Sequence, residues 1–83
     1  MAQILRPKAV FARSGKSRTA TYADQAKGLF PRFFKLGSRA AGMTDEECDL
    51  MNAARASGAS EAELKKLVNR IHAARKSSKP QIS

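Results

Sequence analysis

The chain has 83 residues, a length that predicts one domain with a small core and little room for an enclosed active site. Sixteen Lys and Arg against seven Asp and Glu give a formal net charge of +9, and the single cysteine excludes an internal disulfide and a cysteine-based zinc site. No apolar run reaches the length of a membrane span and the N-terminus lacks the apolar core of a signal peptide, so we expect a cytoplasmic protein with no membrane partner.

Basic charge is concentrated in the first half of the chain. Residues 1–43 contain nine Lys or Arg and one acid, Asp24, whereas residues 44–83 contain seven basic and six acidic residues. This asymmetry indicates an electrostatic footprint for a polyanion. It favours nucleic acid over a basic surface that is merely solvated. An anionic membrane is disfavoured because no basic amphipathic helix with a broad apolar face stands out.

The first predicted helix runs from Arg6-Pro7 to Ser14-Gly15. Proline suits the first turn of a helix, where its missing N–H costs nothing, and glycine accepts the left-handed backbone of a helix end. Residues 1–6 are predicted as a loose arm or a short strand.

A second, unusually polar helix is predicted from Arg18 to Lys27. Ser17 is its N-cap, because a serine hydroxyl accepts a bond from an otherwise unpaired N–H, and Gly28 is its C-cap. The spacing predicts an inward side of small residues, with Thr21 or Tyr22 alongside: Ala20, Ala23 and Ala26.

A short hairpin is predicted after this helix. Leu29-Phe30 should plug the core, and Pro31 prevents the helix from continuing. The mixed alternation of residues 33–36 is typical of a half-buried strand, residues 36–39 form a turn, and residues 40–43 form the returning strand. The prediction is a two-stranded wing that must lean on the helices.

A capping box predicts the start of the third helix: Thr44 is the N-cap, and the Glu47 side chain reaches back to the Thr44 backbone. Gly58 ends the helix. Its apolar face, with Leu50 beside it, is predicted to contain Cys48, Met51 and Ala54.

A second capping box, Ser60 with Glu63, opens a fourth helix. Its stripe of apolar residues either packs on the third helix, which we favour, or forms a dimer surface. The stripe contains Leu64, Leu67, Val68, Ile71 and Ala74.

Catalysis is poorly supported by the sequence, and we expect neither an enzyme nor a cofactor or metal. His72, the only histidine, lies among charged neighbours and is interpreted as a surface residue. Cys48 is interpreted as a buried, inert thiol. The carboxylates at the start of the third helix complement its N-terminal dipole. They are Asp45, Glu46, Glu47 and Asp49.

Double-stranded DNA is the predicted partner. Arg18 at a helix start can reach guanine O6 and N7 or a phosphate, and short hydroxyl side chains let a helix approach a groove closely. Tyr22 can either bond a phosphate or pack its ring on the core with its hydroxyl outward. The candidate DNA-binding residues are Lys16, Ser17, Arg18, Thr19, Thr21 and Tyr22 on the second helix, with Lys35, Ser38 and Arg39 on the hairpin.

An ordered set of residues carries a resemblance. The set is Ser17, Arg18, Thr19 and Tyr22 in the helix, Gly28, Phe30 and Pro31 at its exit, Lys35, Leu36, Gly37 and Arg39 in the hairpin, and Glu47 in the acidic helix. The run resembles the AlpA family of small phage and prophage regulators, which look like the excisionase and MerR-type winged-helix group. Ala54-Arg55, Gly58, Ser60 and Ala73-Ala74-Arg75 extend the resemblance over residues 6–75.

The resemblance implies a winged helix-turn-helix regulator of a mobile element, acting as a transcription factor, a recombination directionality factor or both. Met43 stands where the family often has Trp. Asp24 and Gln25 replace apolar residues that are common in the wider family. We therefore expect the second helix to sit differently or to leave those two side chains exposed.

Taken together, the sequence predicts a mainly α fold, a winged helix-turn-helix with a two-stranded wing and an extra C-terminal helix. Residues 1–76 form a single DNA-binding domain and residues 77–83 a flexible basic tail. The protein is expected to be nucleoid-associated, as a homodimer or as a cooperative multimer on DNA. The alternatives are an excisionase, or a protein-interaction module such as an inhibitor of a host defence protein.

Overall fold

A computed structural model of the chain describes residues 3–38 and 40–77. Within these ranges the fold is mainly helical, with four helices and a small antiparallel sheet. The elements in chain order are β1 (Ile4–Leu5), α1 (Pro7–Ser14), α2 (Arg18–Lys27), β2 (Phe34–Lys35), β3 (Ala41–Thr44), α3 (Asp45–Ala56) and α4 (Glu61–Ser77).

Local capping signals set the bounds of α1 and α2, as the sequence predicts. Pro7 opens α1, and Gly15 ends it with a left-handed φ of 71°. The Ser17 hydroxyl accepts a hydrogen bond from the Ala20 N–H at 3.1 Å, and Gly28 ends α2 with φ 78°. Only three residues therefore separate the two helices.

The sheet has three strands in the order β1-β3-β2, one more than the predicted two-stranded wing. The hairpin itself is confirmed, because Phe34 and Lys35 of β2 pair with β3 in antiparallel register. The third strand comes from the N-terminal segment, where Leu5 pairs with Met43 on the other edge of β3. This pairing is long-range, and the sequence left that segment open between an arm and a strand.

One apolar core joins the helices and the sheet. The stripe on α4 packs inward through Leu64, Val68 and Ile71, which confirms internal packing for these three residues, whereas Ala74 is exposed. Leu50 is also exposed, beside the buried face of α3. The buried core residues are Val10, Leu29, Phe30, Met43, Cys48, Met51, Leu64, Val68 and Ile71.

The predicted inward face of α2 is right in including Thr21 as one of two options but wrong for Ala23 and Ala26. Thr21 and Gln25 are buried, while Ala23 and Ala26 are exposed. Two polar side chains can lie inside because both bond to nearby carbonyls: Thr21 Oγ1 donates to Ser17 O at 2.9 Å, and Gln25 Nε2 donates to Pro31 O at 3.0 Å. Gln25, a departure from the family pattern, is therefore a core residue that holds the exit of α2.

An ion pair joins α3 to α4. Both oxygens of the Glu47 carboxylate accept from the Arg75 guanidinium at 2.8 Å. Glu47 also accepts from the Thr44 N–H at 3.1 Å, which completes the predicted capping box. Burial opposes ionisation of Glu47, but these bonds outweigh it and hold the pKa of the carboxyl below its usual range.

Arg75 extends this link to the segment that leads into the hairpin. Its Nη1 donates to Arg32 O at 2.8 Å, and its guanidinium lies 5.0 Å from the centre of the Phe34 ring. One arginine near the end of α4 thus holds the start of α3 and the start of β2.

Helix α4 continues through Ser77, the first residue of the predicted tail. The remaining tail residues, 78–83, lie outside the described residues. No helix in the described ranges is long and apolar enough to cross a membrane.

We expect Glu47→Ala to lower the free energy of unfolding by about 2–3 kcal/mol, since it leaves Arg75 half-buried without its partner and removes the cap. Glu47→Gln keeps an acceptor for the Thr44 N–H and should lose less. The control is Asp49→Ala, which breaks an exposed pair with Arg13 (2.7 Å) and should have a far smaller effect. Urea denaturation measures all three, and equal losses from Glu47→Ala and Asp49→Ala would refute the special role of Glu47.

Gly42→Ala should destabilise the sheet, because a Cβ at this position would overlap the Leu5 carbonyl oxygen where β1 pairs with β3. We expect a loss of about 1–3 kcal/mol in the free energy of unfolding. Gly37 in the hairpin turn is the matched control, since a Cβ there meets nothing within 4 Å. Gly37→Ala should stay within about 0.5 kcal/mol of the wild type. Thermal melts that shift equally for both variants would contradict the close approach of β1.

Candidate nucleic-acid interface

The outer face of α2 consists of short or basic side chains and the partly exposed ring of Tyr22. Its inner side is buried against the core through Thr21 and Gln25, so the remaining positions point outward. Among the described residues, no carboxylate lies on this face, because Asp24 is turned inward. The exposed residues of α2 are Arg18, Thr19, Tyr22, Ala23, Ala26 and Lys27.

Three aromatic rings fix α2 against the segment that leads into the hairpin. Tyr22 packs edge-on against Phe11 of α1 (6.1 Å between ring centres) and against Phe33 (5.8 Å). The third pair, Phe11 with Phe33, is 6.4 Å apart. Tyr22 stays 43% exposed, and the Arg18 guanidinium lies 5.9 Å from the centre of its ring. The Tyr22 ring therefore packs, as one of the two interpretations predicts.

The hairpin turn presents exposed polar groups, and the segment that leads into the hairpin packs on α2 through Phe33. Lys35, Gly37 and Ser38 are exposed, and Leu36 N donates to Ala40 O at 2.8 Å to close the turn. Arg39, the other basic residue predicted here, lies outside the described residues.

Two of the residues predicted to contact DNA, Lys16 and Ser17, already bond to other groups of the protein. Lys16 forms an ion pair with Asp24, which also accepts from Arg55 at 3.1 Å. Burial by itself would raise the pKa of Asp24, but bonds from Lys16 and Arg55 outweigh it and lower that pKa. Ser17 uses its hydroxyl to cap α2. Both residues hold the start of α2 in place.

Thr21 is wrongly predicted as a DNA contact. Its side chain is 1% exposed and its hydroxyl is bonded to Ser17 O, so no groove or phosphate can reach it. Ala23, Ala26 and Lys27 also belong to the outer face, although the sequence did not indicate them as contacts. The spacing of positions 19, 22, 23 and 26 was the available signal, but alanine was read as an inward residue.

The other residues weighed for chemistry have structural roles. His72 Nε2 accepts the Arg32 N–H at 3.1 Å, and burial together with the charges of Arg75 and Arg32 lowers the pKa of this imidazole. Cys48 is buried, and burial raises the pKa of its thiol. In the part of the chain that the structure describes, no group of three His, Cys, Asp or Glu side chains could hold a metal ion.

No known protein family, curated protein or solved structure matches the chain.

The lowered pKa of the His72 imidazole, caused first by burial and then by the charges of Arg75 and Arg32, makes stability depend on pH. The unfolded chain takes up a proton near the ordinary imidazole pKa of 6.5, whereas the folded protein takes it up at a lower pH. Between these two values the unfolded state binds more protons, so the free energy of unfolding falls as pH falls.

We expect this loss to begin below pH 6.5 and to be absent in His72→Gln, whose amide oxygen can still accept from the Arg32 N–H. The comparison is made by urea denaturation above about pH 5, before the carboxylates titrate. Parallel pH curves for the two proteins would refute the role of His72.

Proposed function

We propose that the protein is a sequence-specific regulator that binds double-stranded DNA as a winged helix-turn-helix. In this proposal α2 enters the major groove and the hairpin contacts the flanking backbone. One observation carries it: the exposed face of α2 is short, basic and without carboxylates in the described residues, and it is fixed beside an exposed basic hairpin.

The outer face of α2 suits close approach to base edges. Ala23 and Ala26 add only methyl groups, which allow the helix to enter deeply and can contact thymine methyl groups. Arg18 in the first turn can donate two hydrogen bonds to guanine, and Thr19 beside it can bond a base or a phosphate. Because Thr21 and Gln25 are buried, Tyr22 is the longer side chain near the centre of this face.

The hairpin suits the sugar-phosphate backbone. Lys35 and Ser38 are exposed donors, and such contacts set register without reading sequence. Because Phe33 packs on Tyr22, the hairpin and α2 are held at one angle and can engage neighbouring parts of the same duplex.

The resemblance to AlpA-type regulators supports the same proposal. The positions that carry it have clear local roles here: Gly28 caps α2, while Phe30 and Pro31 are buried at its exit. Met43 is fully buried at the position where the family often has Trp, so it can serve as the packing anchor of the sheet. Regulation of a phage or other mobile element, as a transcription factor or as an excisionase, follows from the resemblance alone.

A groove that includes one side of the hairpin favours an additional protein contact. It has a volume of about 790 Å³ and lies between the hairpin, α3 and α4. Phe34, Ile71 and the exposed Leu50 contribute apolar surface, and Glu46 adds an exposed carboxylate. This surface supports self-association on neighbouring DNA sites, and it is also where the alternative protein-interaction function would be sought.

The decisive experiment selects bound duplexes from genomic DNA and then compares two variants on the selected site and on random duplex. Arg18→Ala should weaken binding to the selected site by about 10- to 100-fold, with little change on random duplex, because a base contact is lost. Lys35→Ala is the matched charge-removal control. It should weaken both equally and make the slope of log K against log salt shallower by about 0.9.

Equal losses for Arg18→Ala on both duplexes would show that Arg18 contacts only phosphate. If the protein retains no duplex even at low salt, the proposal that it binds DNA is wrong. Capture of a protein partner by the same purified chain would then favour the interaction module.

A further inference from the structure

A concave surface lies where the end of α2 meets α4. It has a volume of about 320 Å³ and is not part of the predicted DNA-binding set. We call it the junction pocket. The side chains and backbone that define it include Lys27, Gly28, Arg32, Asn69 and His72.

Cations surround the junction pocket without matching acids. Lys27 and Arg32 line it, and the Lys65 stem passes over Gly28, with Cγ 4.0 Å from where a Cβ on that glycine would stand. None of these three cations has an ion-pair partner among the described residues, and the pocket lining contains no carboxylate. By contrast, Arg13, Lys16, Arg55 and Arg75 are all paired.

Helix α4 lines this pocket with Asn69 and His72, beside the buried Val68. Lys65, Asn69, His72 and Lys76 follow one another at steps of four, three and four residues, which places them on one side of the helix. Lys65 and Asn69 are exposed, and Lys76 is exposed near the end of the helix.

The available groups are hydrogen-bond donors. Lys and Arg only donate, and the Asn69 amide supplies two further N–H groups. His72 Nε2 already accepts from the Arg32 N–H, so the neutral ring carries its proton on Nδ1. The Gln25 amide is committed to Pro31 O. A ligand that accepts several hydrogen bonds and carries negative charge fits this set, as a phosphate does.

The end of α2 does not cancel this attraction. A helix C-terminus carries about half a negative charge. Here two of its last four carbonyls are already bonded: Gly28 N donates to Gln25 O at 3.2 Å, and Leu29 N donates to Asp24 O at 2.8 Å. Three full positive charges therefore dominate the field in the pocket.

We propose that the junction pocket binds a phosphate of the DNA backbone next to the segment contacted by α2. Ala26 and Lys27 belong both to the pocket lining and to the outer face of α2, so the two surfaces are continuous. The inference rests on the proposed function and adds α4 to the contact surface. It assigns backbone positioning to Arg32, Lys65 and Asn69, which the sequence analysis did not select.

The test measures duplex affinity at several salt concentrations for Arg32→Gln, Asn69→Asp and the control Lys66→Gln. The Arg32 side chain is exposed and only its backbone is bonded, so the variant keeps the fold. Arg32→Gln should make the slope of log K against log salt shallower by about 0.9. Asn69→Asp, a nearly isosteric change, should reduce low-salt affinity by about tenfold, because it puts a carboxylate beside the phosphate.

Lys66 is the next residue along α4 after Lys65 and points about 100° further round the helix, away from the pocket. Lys66→Gln removes the same charge as Arg32→Gln and should leave the slope unchanged. Equal changes for these two variants would overturn the pocket and leave only a general effect of net charge.

A second measurement distinguishes a phosphate of the DNA backbone from a small phosphorylated ligand. Inorganic phosphate is titrated into the isotopically labelled protein while the Arg32 guanidinium and His72 ring resonances are followed. Shifts in the wild type that disappear in Asn69→Asp support an anion site. Such shifts together with unchanged duplex slopes would overturn the backbone assignment in favour of a small phosphorylated ligand. If wild-type protein binds no duplex, the proposed function itself fails, and this inference fails with it.

Discussion

The ion pair between Glu47 and Arg75 is the constraint on which the arrangement of elements depends. Glu47 completes the capping box at the start of α3, and Arg75 near the end of α4 holds Glu47, the Arg32 carbonyl and the Phe34 ring. The α3 start, the α4 end and the segment that enters the hairpin are thereby joined at one point. In a chain of 83 residues the apolar core is small, so a half-buried link that bonds in several directions contributes a large share of tertiary specificity.

Helix α2 is polar, yet contacts with the rest of the protein fix its inner side and leave its outer face exposed to solvent. Its inner side is secured by hydrogen bonds from Thr21 and Gln25 to nearby carbonyls, with Leu29 and Phe30 buried directly after it. Intrinsic propensity has little part in this orientation, because tertiary contacts supply most helical stability in proteins. The consequence is an outward face of alanine, threonine and arginine, which is the surface that the proposed groove contact requires.

The basic residues of the chain have two roles. Arg13, Lys16, Arg55 and Arg75 pair with carboxylates and stabilise the fold. Other cations on α2, the hairpin and the junction pocket have no acidic partner among the described residues, and they produce the field that reaches solvent. The second half of the chain has nearly balanced charge, yet its Lys65 contributes to that field because α4 lies beside the end of α2. Charge counted by chain segment therefore underestimates the contribution of α4.

The sequence by itself determined the helix bounds, the capping boxes, the plug at Phe30 and the hairpin, because these depend on contacts between residues only a few positions apart. It also identified most of the exposed basic and hydroxyl side chains of the candidate interface. Only the tertiary structure decided which face of α2 turns inward, that residues 4–5 add a third strand, and that Arg75 reaches Glu47. Each of these depends on partners distant along the chain. The polar composition of α2 carries no apolar periodicity strong enough to orient it, so it leaves Thr21 open between the inward side and the DNA-binding face and predicts Ala23 and Ala26 inside.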